Sequence, residues 1–437
     1  MADTIYAVST PPGRGGVAII RVSGPDAGVA LDGLVAGRRP RPRVATLGAL
    51  RHPRTGELLD KALTLWFPAP GSFTGEDAAE LHLHGGRAVV DGVLEALSSF
   101  PRLRVAEPGE FTRRAFANGK MDLTEAEGLA DLIDAETQAQ RRQALDQMGG
   151  ALGRLYEGWR RGLIRVLAHL EADLDFPDED LPEDVADQVR PKIVELLSAI
   201  EAHLADNRRG ERLRSGVQIA IVGPPNAGKS SLLNVLAQRD VAIVSEVAGT
   251  TRDVIEVHLD LGGYPVILAD TAGLRETSDA IEDEGVRRAL HRAEAADLKL
   301  ILVDARESLP RSIGDLAGDG AIIVFNKTDL LPDYEAPLSG ALAVSVRTGD
   351  GLPELLALLE KKVAAAIGGP DIALTRARHR EALEDCRSHL ARALEAALPE
   401  LSAEDVRLAT RALGRITGKV DVEDLLDVIF RDFCIGK

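Results

Sequence analysis

The chain has 437 residues, a formal net charge of −17 and two cysteines. This length predicts about three domains, each large enough for its own hydrophobic core. The negative charge argues against non-specific adhesion to nucleic acid, and two cysteines without a CxxC spacing exclude a disulfide framework and indicate a reducing compartment. No signal peptide is recognisable at the amino terminus, and no apolar stretch approaches the ~18 residues that span a bilayer. We therefore expect a cytoplasmic protein that does not engage a membrane.

Residues 1–118 have the pattern of short strands separated by proline and glycine, which predicts a β-rich domain. The loops 10–16, 72–77 and 108–114 carry the residue types that build small-ligand sites on such a scaffold. The clearest strand candidates are residues 5–9, 17–22, 62–67 and 80–84.

Two features of this segment leave alternatives open. His82 and His84 share a strand face and can hold a metal, but no third ligand of matching type lies nearby, so we favour polar lining of a pocket. A local basic cluster offers either an RNA contact or a solvated surface loop, and we favour the loop. Its members are Arg38, Arg39, Arg41, Arg43, Arg51 and Arg54.

The sequence changes to a helical pattern near Thr124, which has capping-box spacing to Glu127. Apolar residues recur every three or four positions from Leu152 to Leu174, as in an amphipathic helix. The acidic stretch 171–184 predicts a solvated connector. A second helix follows over residues 193–204, and then a basic linker over residues 208–212.

Strands and helices alternate over residues 216–370, and the Gly262-Gly263 pair predicts one hairpin in an otherwise parallel sheet. Residues 223–231 lie between an apolar strand pattern and a helical pattern and have the spacing of a phosphate loop. Backbone N–H groups and the helix amino terminus favour phosphate there. We expect Lys229 to reach the β/γ-phosphates and Ser230 to bind Mg²⁺.

Further nucleotide motifs end three later apolar runs. Asp270 begins the sequence Asp-Thr-Ala-Gly and can bind Mg²⁺ through water, and residues 345–347 resemble the loop that supports a guanine base. Asp329 ends the sequence Asn-Lys-Thr-Asp, and its carboxylate can accept two N–H bonds that guanine offers and adenine does not. The four motifs together predict a GTPase.

After residue 370 the helical pattern returns, with an apolar stripe from Leu383 to Leu398 in which Cys386 is a core residue. Ser402 with Asp405, and then Asp421, mark two further helix starts. Neither helical segment is large enough for its own core, so the GTPase is predicted to be inserted into one split helical domain. The domains are then 1–118, 119–214, 215–371 and 372–437.

The chain resembles the MnmE (TrmE) family of tRNA-modification GTPases along its whole length. At the motif positions, only Pro224 and Ser245 occupy sites that the family varies. The carboxyl-terminal Phe-Cys-Ile-Gly-Lys sequence combined with the amino-terminal loops makes the resemblance specific. The matching residues are 11–16, 73–77, 108–111, 223–231, 249–253, 270–275 and 433–437.

The resemblance implies a multidomain α+β and α/β protein. It would have an amino-terminal folate-binding and dimerising domain, a split all-α helical domain and an inserted Ras-like GTPase domain. The family works with the FAD-dependent protein MnmG, as a heterotetramer, to add carboxymethylaminomethyl or aminomethyl groups to C5 of the wobble uridine of certain tRNAs. The implied folate is 5,10-methylene- or 5-formyl-tetrahydrofolate, bound by Arg21, Glu80, Lys120 and Lys437.

The resemblance also assigns roles around the phosphates. Leu274 follows Gly273 where Ras-type enzymes place a water-orienting glutamine, so Glu282 is expected to act on the water, although an ordinary solvated acid is the alternative. Thr251 would complete the Mg²⁺ shell, and K⁺ would be held by Asn226, Ser245, Val247 and Thr250. Cys434 is either a reactive thiol or an ordinary packed cysteine, and we favour packing because no environment that lowers its pKa is visible.

Motifs and resemblance together predict a set of nucleotide contacts, and they predict Lys229, Thr251 and Glu282 as the catalytic residues. The set comprises Asn226, Ala227, Gly228, Lys229, Ser230, Ser231, Ser245, Glu246, Val247, Ala248, Gly249, Thr250, Thr251, Asp270, Thr271, Ala272, Gly273, Asn326, Lys327, Asp329, Ser345, Val346 and Arg347.

Two classes of function compete at this point. One is a GTP-hydrolysing subunit of an RNA-modification enzyme, and the other is a regulatory or ribosome-assembly switch that transfers no group. The amino-terminal loops and the cysteine-bearing tail favour the modification enzyme, because a plain switch has no need of a small-molecule pocket.

Overall fold

The structure is a computed structural model. The chain divides into two compact units, which are described separately: Met1–Ala130 with Gln147–Arg161 and Thr410–Lys437, and Asp131–Asp146 with Gly162–Ala409. The structure describes residues 3–35, 39–175, 183–239, 241–243, 256–270, 295–310, 321–368, 373–420, 423–431, 433 and 436.

The first unit contains a six-stranded sheet in the order β3-β4-β5-β2-β1-β6, in which only the β1–β6 pair is parallel. All four predicted strands are confirmed, with ends shifted by a few residues. The prediction missed β3, whose residues are mostly exposed or half-buried and include Gly48, and β6, which is too short to show a pattern. The strands are β1 Thr4–Val8, β2 Gly15–Ser23, β3 Thr46–Arg51, β4 Leu58–Phe67, β5 Ala78–Gly85 and β6 Leu103–Val105.

Helices α1 (Ala27–Leu34) and α2 (Arg87–Ser98) pack on this sheet, and α3 (Glu110–Ala117) follows β6. Alternate residues of the strands bury apolar side chains against the helices, as expected for a sheet with one covered face. The buried core includes Ile20, Val22, Leu31, Leu34, Leu81, Leu83, Val93 and Leu97.

The predicted helical region contains α4 Leu123–Asp134, α5 Gln138–Met148, α6 Ala151–Asp175, α7 Glu183–Leu204 and α8 Arg209–Ser215. The predicted bounds 171–184 of the acidic connector are wrong at both ends, because α6 continues to Asp175 and α7 begins at Glu183, while residues 176–182 lie outside the described residues. The prediction was also wrong about the basic linker, which forms α8 with Arg212 Nε 2.6 Å from Asp297 Oδ1.

The capping box of α4 lies two residues before the predicted one. Asp122 Oδ1 accepts the Glu125 N–H at 2.9 Å, and Glu125 Oε2 accepts the Asp122 N–H at 2.7 Å. This is the reciprocal arrangement of a capping box. Thr124 and Glu127 are instead buried inside the helix.

A six-stranded sheet in the second unit has the order β12-β11-β10-β7-β9-β8 and is parallel except for the β8–β9 hairpin. The predicted hairpin is confirmed: Leu261 pairs with Tyr264 across Gly262 and Gly263, which have φ of 62° and 89°. Both lie in the left-handed region that a type I′ turn requires. The strands are β7 Val217–Val222, β8 Glu256–Leu261, β9 Tyr264–Asp270, β10 Leu298–Asp304, β11 Ile322–Asn326 and β12 Leu342–Ala343.

Helices α9 (Lys229–Ala237) and α10 (Leu352–Ile367) bury leucines against this sheet in one continuous core. The carboxyl ends of β7, β9, β10 and β11 lie at one edge, because these four strands are parallel. Ligands of open α/β sheets bind at this edge.

Three helices complete the described chain: α11 Ala377–Glu395, α12 Pro399–Thr417 and α13 Glu423–Arg431. Cys386 is fully buried as predicted, and burial raises the pKa of its thiol to about 12. The predicted start at Ser402 is wrong, because α12 begins at Pro399, which suits the first helical position, while the Ser402 hydroxyl donates to the Ala393 carbonyl at 3.0 Å. Asp421 lies outside the described residues.

The expected multidomain α+β and α/β class is confirmed, while the predicted domain boundaries stay predictions. None of the described helices is long and apolar enough to cross a membrane.

Candidate functional site

The phosphate loop connects β7 to α9, as the sequence predicts. Asn226 and Gly228 have φ of 62° and 101°, so the loop turns through the left-handed region before the helix begins at Lys229. A Cβ on Gly228 would lie 2.3 Å from Asn326 Nδ2, so a side chain there would displace a neighbouring motif. The loop therefore needs glycine at this position.

Lys229 is buried, with 8% of its surface exposed. Its ammonium donates to the Gly223 carbonyl at 2.8 Å and to the Pro224 carbonyl at 2.9 Å. Ser230 and Ser231 follow in the exposed first turn of α9. A fixed positive charge, a helix amino terminus and a hydroxyl oxygen together suit a phosphate with Mg²⁺.

The residues predicted to read the base lie together beyond the ends of β11 and β12. Asn326 is buried, and its amide donates to the Ala227 carbonyl at 2.8 Å and accepts the Val346 N–H at 3.1 Å. Asn326 thus joins the phosphate loop to the segment 345–347. Ser345 is also buried, and its hydroxyl donates to Asp329 Oδ1 at 2.6 Å.

The Asp329 carboxylate is held in its charged form. The Ser345 hydroxyl, and then the Arg347 guanidinium 2.5 Å from Oδ2, hold the pKa of Asp329 below its usual range. Each carboxylate oxygen has a second lone pair for a base N–H. Because the Arg347 side chain is 74% exposed, it can leave the carboxylate when a ligand approaches.

Asp304, the last residue of β10, fixes Lys327 and was not among the residues predicted from the sequence. The Lys327 ammonium lies 2.8 Å from Asp304 Oδ2. The Arg306 guanidinium and Lys327 hold the pKa of Asp304 well below its usual range. An acidic residue that ends the apolar run 298–303 was the available signal.

In the first unit, Arg21 and Glu80 face each other across β2 and β5, with the guanidinium Nε and one terminal nitrogen 3.1 and 3.0 Å from Glu80 Oε1. The Arg21 guanidinium also lies 5.7 Å from the ring centroids of both Phe73 and Phe111. Phe111 is fully buried, whereas Phe73 is 39% exposed. A charged pair beside an accessible ring suits a flat, polar heterocycle.

Lys120 belongs to the same neighbourhood through the loop that carries Phe73. Its ammonium donates to the Pro70 carbonyl at 3.0 Å, and its side chain packs beside Gly75. The carboxyl-terminal tail reaches the first strand, where the Ser9 hydroxyl donates to the Gly436 carbonyl at 3.0 Å. Among the described members of the predicted folate set, Arg21 and Glu80 are thus in direct contact, and Lys120 contacts the loop that carries Phe73.

Models of two protein families match nearly the whole chain. The model described as GTP-binding protein TrmE N-terminus matches residues 4–120, and the model described as MnmE helical domain matches residues 123–434.

The chain belongs to the MnmE family.

Relatives support the MnmE assignment over full length. The proteins named tRNA modification GTPase MnmE from Rhodospirillum rubrum and Parvibaculum lavamentivorans are 59% and 60% identical, over 100% of this chain and 99% and 100% of theirs. The Danio rerio protein named 5-taurinomethyluridine-[tRNA] synthase subunit GTPB3, mitochondrial, is 51% identical over 100% of this chain and 93% of its own. Among solved structures, Era from Aquifex aeolicus is 25% identical, covers 42% of this chain and 69% of that chain, and has a TM-score of 0.28, too low to add evidence.

As a member of the MnmE family, the chain is a tRNA modification GTPase that binds GTP and Mg²⁺. Among its predicted nucleotide contacts, Asp270 ends β9 and pairs with Ile221 of β7. Several predicted site residues lie outside the described residues: Ser245, Glu246, Val247, Ala248, Gly249, Thr250, Thr251, Thr271, Ala272, Gly273, Glu282, Cys434 and Lys437.

The two histidines of the predicted pair, His82 and His84, contact different partners. His82 Nε2 lies 3.3 Å from Glu80 Oε2, whereas His84 Nδ1 lies 2.8 Å from Asp60 Oδ1. The two rings thus contact different carboxylates, and the described residues contain no group of three or more ligands that could hold a metal ion. His82 instead adds polar lining beside Arg21 and Glu80.

The basic cluster makes contacts within its own domain. Arg39 lies 4.5 Å from the Trp66 ring centroid and pairs with Asp32, and Arg43 donates to the Gly71 carbonyl. Arg51 and Arg54 donate to the carbonyls of Gly56 and Ser99, both at 2.9 Å. These contacts favour the surface-loop alternative, and Arg38 lies outside the described residues.

Proposed function

We propose that this MnmE-family chain is the GTP-hydrolysing subunit that adds a carboxymethylaminomethyl or aminomethyl group to C5 of the wobble uridine of certain tRNAs. The observation that supports this proposal is the presence, in one chain, of a phosphate-loop domain and a cluster in which Arg21 contacts Glu80, Phe73 and Phe111. A regulatory switch without group transfer has no use for such a cluster and is not favoured by the family. Nucleoside analysis of tRNA from cells that lack the chain tests the proposal.

The proposed assembly is a cytoplasmic homodimer that forms a heterotetramer with the FAD-dependent protein MnmG. The proposed one-carbon source is 5,10-methylene- or 5-formyl-tetrahydrofolate, held by Arg21, Glu80, Lys120 and Lys437. The contact between Ser9 and Gly436, 3.0 Å long, supports a role for the tail, because it anchors the residue beside Lys437 to the amino-terminal domain. Cys434 is proposed only as a candidate thiol on that tail.

Within the nucleotide site, Lys229 is proposed to neutralise the β/γ-phosphates, and Ser230 and Thr251 to bind Mg²⁺. Asp329 is proposed to read guanine, and Ser345, Val346 and Arg347 to support it. The bond from Ser345 to Asp329 supports this assignment. Glu282 is proposed to orient the attacking water, because Leu274 stands where Ras-type enzymes have glutamine.

Folate binding should weaken when Arg21 is replaced by alanine, since the change removes a guanidinium that faces Glu80 and two rings. We expect at least a tenfold loss in affinity for 5-formyltetrahydrofolate, about 1.4 kcal/mol. Calorimetry with the full-length protein provides the measurement. Arg87→Ala is a control, because this arginine is exposed and, in the part of the chain that the structure describes, pairs with Asp91 one turn away. If the parental protein did not bind the folate, the proposed folate site would be wrong.

GTP hydrolysis should be at least tenfold faster in KCl than in NaCl at equal ionic strength. A monovalent cation held by Asn226 and the carbonyls of Ser245, Val247 and Thr250 would supply the charge that an arginine finger supplies elsewhere. Tenfold corresponds to about 1.4 kcal/mol of barrier, within the reach of one charge contact. Asn226→Ala should abolish the difference between the salts while GTP still binds. Equal rates in both salts for the parental protein would rule out the cation.

A further inference from the structure

The Asp329 carboxylate already has a partner on each of its two oxygens. The Ser345 hydroxyl donates to Oδ1 at 2.6 Å, and a terminal nitrogen of Arg347 lies 2.5 Å from Oδ2. These partners differ in their surroundings, because Ser345 is fully buried, whereas the Arg347 side chain is 74% exposed. The hydroxyl is therefore a fixed part of the site, and the guanidinium is a partner that can leave.

The backbone that carries Arg347 is held on both sides of the residue. The Ser345 N–H donates to the Asp350 carbonyl at 2.9 Å, which closes the turn. The Val346 N–H donates to Asn326 Oδ1 at 3.1 Å, which ties the same turn to β11. Exposed side chains change rotamer in picoseconds to nanoseconds. The ion pair can therefore open by side-chain rotation alone, without rearrangement of the loop.

The Arg347 guanidinium lies on the solvent side of the carboxylate. Only 9% of the Asp329 side chain is exposed, whereas the arginine bonded to it is mostly exposed. A nucleotide arrives from solvent, so its base must reach Oδ2 through the position that the guanidinium holds. The ion pair and a bound base therefore exclude each other.

The guanidinium also has the same donor pattern as the edge of guanine that a carboxylate reads. Guanine presents N1–H and an exocyclic amine on either side of one carbon, in a single plane. An arginine guanidinium is likewise planar, with N–H donors on nitrogens that share one carbon, and it matches a carboxylate. Arg347 thus offers Asp329 the donors that guanine would offer.

We propose that Arg347 is an internal competitor of guanine, which occupies the Asp329 carboxylate in the empty site and must be displaced by the base. The inference deepens the proposed function and rests on base reading by Asp329. While no nucleotide is bound, the arginine keeps the nearly buried charge of Asp329 paired, which avoids the cost of an uncompensated charge. When a nucleotide binds, only the fraction of the protein with an open pair can accept it, so the arginine lowers affinity.

The size of the effect follows from the population of the open pair. Ion pairs with an exposed partner are favoured over the open state by about one- to fivefold. A ligand that needs the open state then binds about two- to sixfold more weakly. Arg347→Met keeps a long, unbranched side chain and removes the guanidinium, so we expect it to bind GDP about two- to sixfold more tightly than the parental protein does. GDP is the probe because it carries guanine and is not a substrate for hydrolysis.

Equilibrium titration of the full-length protein with GDP and Mg²⁺ measures both affinities. Raising KCl from about 0.1 M to about 1 M shortens the Debye length from about 10 Å to about 3 Å. Phosphate contacts weaken in both proteins alike, so the ratio of the two affinities reports the ion pair and should fall toward one. A ratio that does not change with salt would overturn the proposal, as would GDP affinity of Arg347→Met no higher than the parental affinity.

A double-mutant cycle shows whether the effect passes through Asp329. Asp329→Asn has no charge to pair with the arginine. Adding Arg347→Met to it should therefore change its affinity for xanthosine diphosphate by less than about twofold. A gain of the same size in both backgrounds would mean that the methionine itself contacts the base, and would overturn the proposal.

Arg392→Met is the matched control. Arg392 is 55% exposed and lies 2.6 Å from Asp405, which is 16% exposed, so the pair resembles that of Arg347 and Asp329. It joins α11 to α12, which carry none of the nucleotide motifs, and GDP affinity should equal the parental one.

The same measurements separate this inference from the proposed base reading. If Asp329→Asn bound GDP as tightly as the parental protein, base reading by Asp329 would be wrong, and the competition with it. If Asp329→Asn bound GDP weakly and Arg347→Met bound it no better than the parental protein, the competition alone would be wrong.

Discussion

Replacing Lys229 by alanine is expected to lower the rate of GTP hydrolysis at least a hundredfold. The Lys229 ammonium is buried and held inside the phosphate loop by the Gly223 and Pro224 carbonyls, at 2.8 and 2.9 Å. A charge fixed in this way needs little reorganisation when negative charge develops on the phosphates. A hundredfold loss corresponds to about 2.7 kcal/mol of barrier, in the range measured for removal of one such donor.

The rate is measured as phosphate release under saturating GTP. Lys192→Ala serves as the control, because this lysine is exposed and pairs with Glu195 on the surface of α7. It should hydrolyse GTP at the parental rate. A rate for Lys229→Ala within twofold of the parental rate, with the melting temperature preserved, would contradict the role of Lys229.

Asp329→Asn is expected to weaken GTP binding and to strengthen binding of xanthosine triphosphate. The amide places a donor where guanine presents a donor, and one unpaired buried group costs about 1–3 kcal/mol, or roughly 5- to 150-fold. Xanthine has a carbonyl in place of the exocyclic amine of guanine, and this carbonyl can accept from the new amide. A competition experiment with the two nucleotides measures the ratio of their affinities, for the parental protein and for Asp329→Asn.

Asp350→Asn is a suitable control because Asp350 lies in the loop that follows Ser345 and its carboxylate accepts from the exposed Thr348 hydroxyl. It should keep the parental preference for GTP.

The lowered pKa of Asp329 keeps the carboxylate charged well into the acid range. The contribution of the Asp329 carboxylate to GTP affinity should therefore stay constant from pH 8 to pH 5, and it should be lost only below the usual range of aspartate. Unchanged GTP affinity in Asp329→Asn would contradict base reading by this residue.

The strand–loop–helix arrangement of the phosphate loop was predictable because its parts are local in sequence. A glycine-rich turn between an apolar strand and a helix needs no distant partner to be recognised, and the Gly262-Gly263 hairpin is equally local. The parallel order of β7, β10 and β11 then brings the phosphate loop and Asn326 together. The buried bond from Asn326 to the Ala227 carbonyl joins residues about a hundred positions apart, and only the fold reveals it.

Features that depend on distant contacts escaped the sequence analysis. The wrong capping box had suitable spacing at Thr124, but packing buries Thr124 and leaves the cap to Asp122. Strand β3 is an edge strand with mostly exposed or half-buried residues, so its apolar alternation is weak. The folate set came from family resemblance, since no local pattern relates Arg21 to Glu80, which pair only across two strands.

The central proposal, modification of wobble uridine, is tested most directly by mass analysis of nucleosides in tRNA from cells that lack this chain. The account predicts that carboxymethylaminomethyl- and aminomethyl-modified wobble uridines disappear. It also predicts that the parental gene restores them and the Lys229→Ala variant does not. An unchanged nucleoside profile in the deleted cells would contradict the account, and full restoration by Lys229→Ala would show that GTP hydrolysis is not needed for the modification.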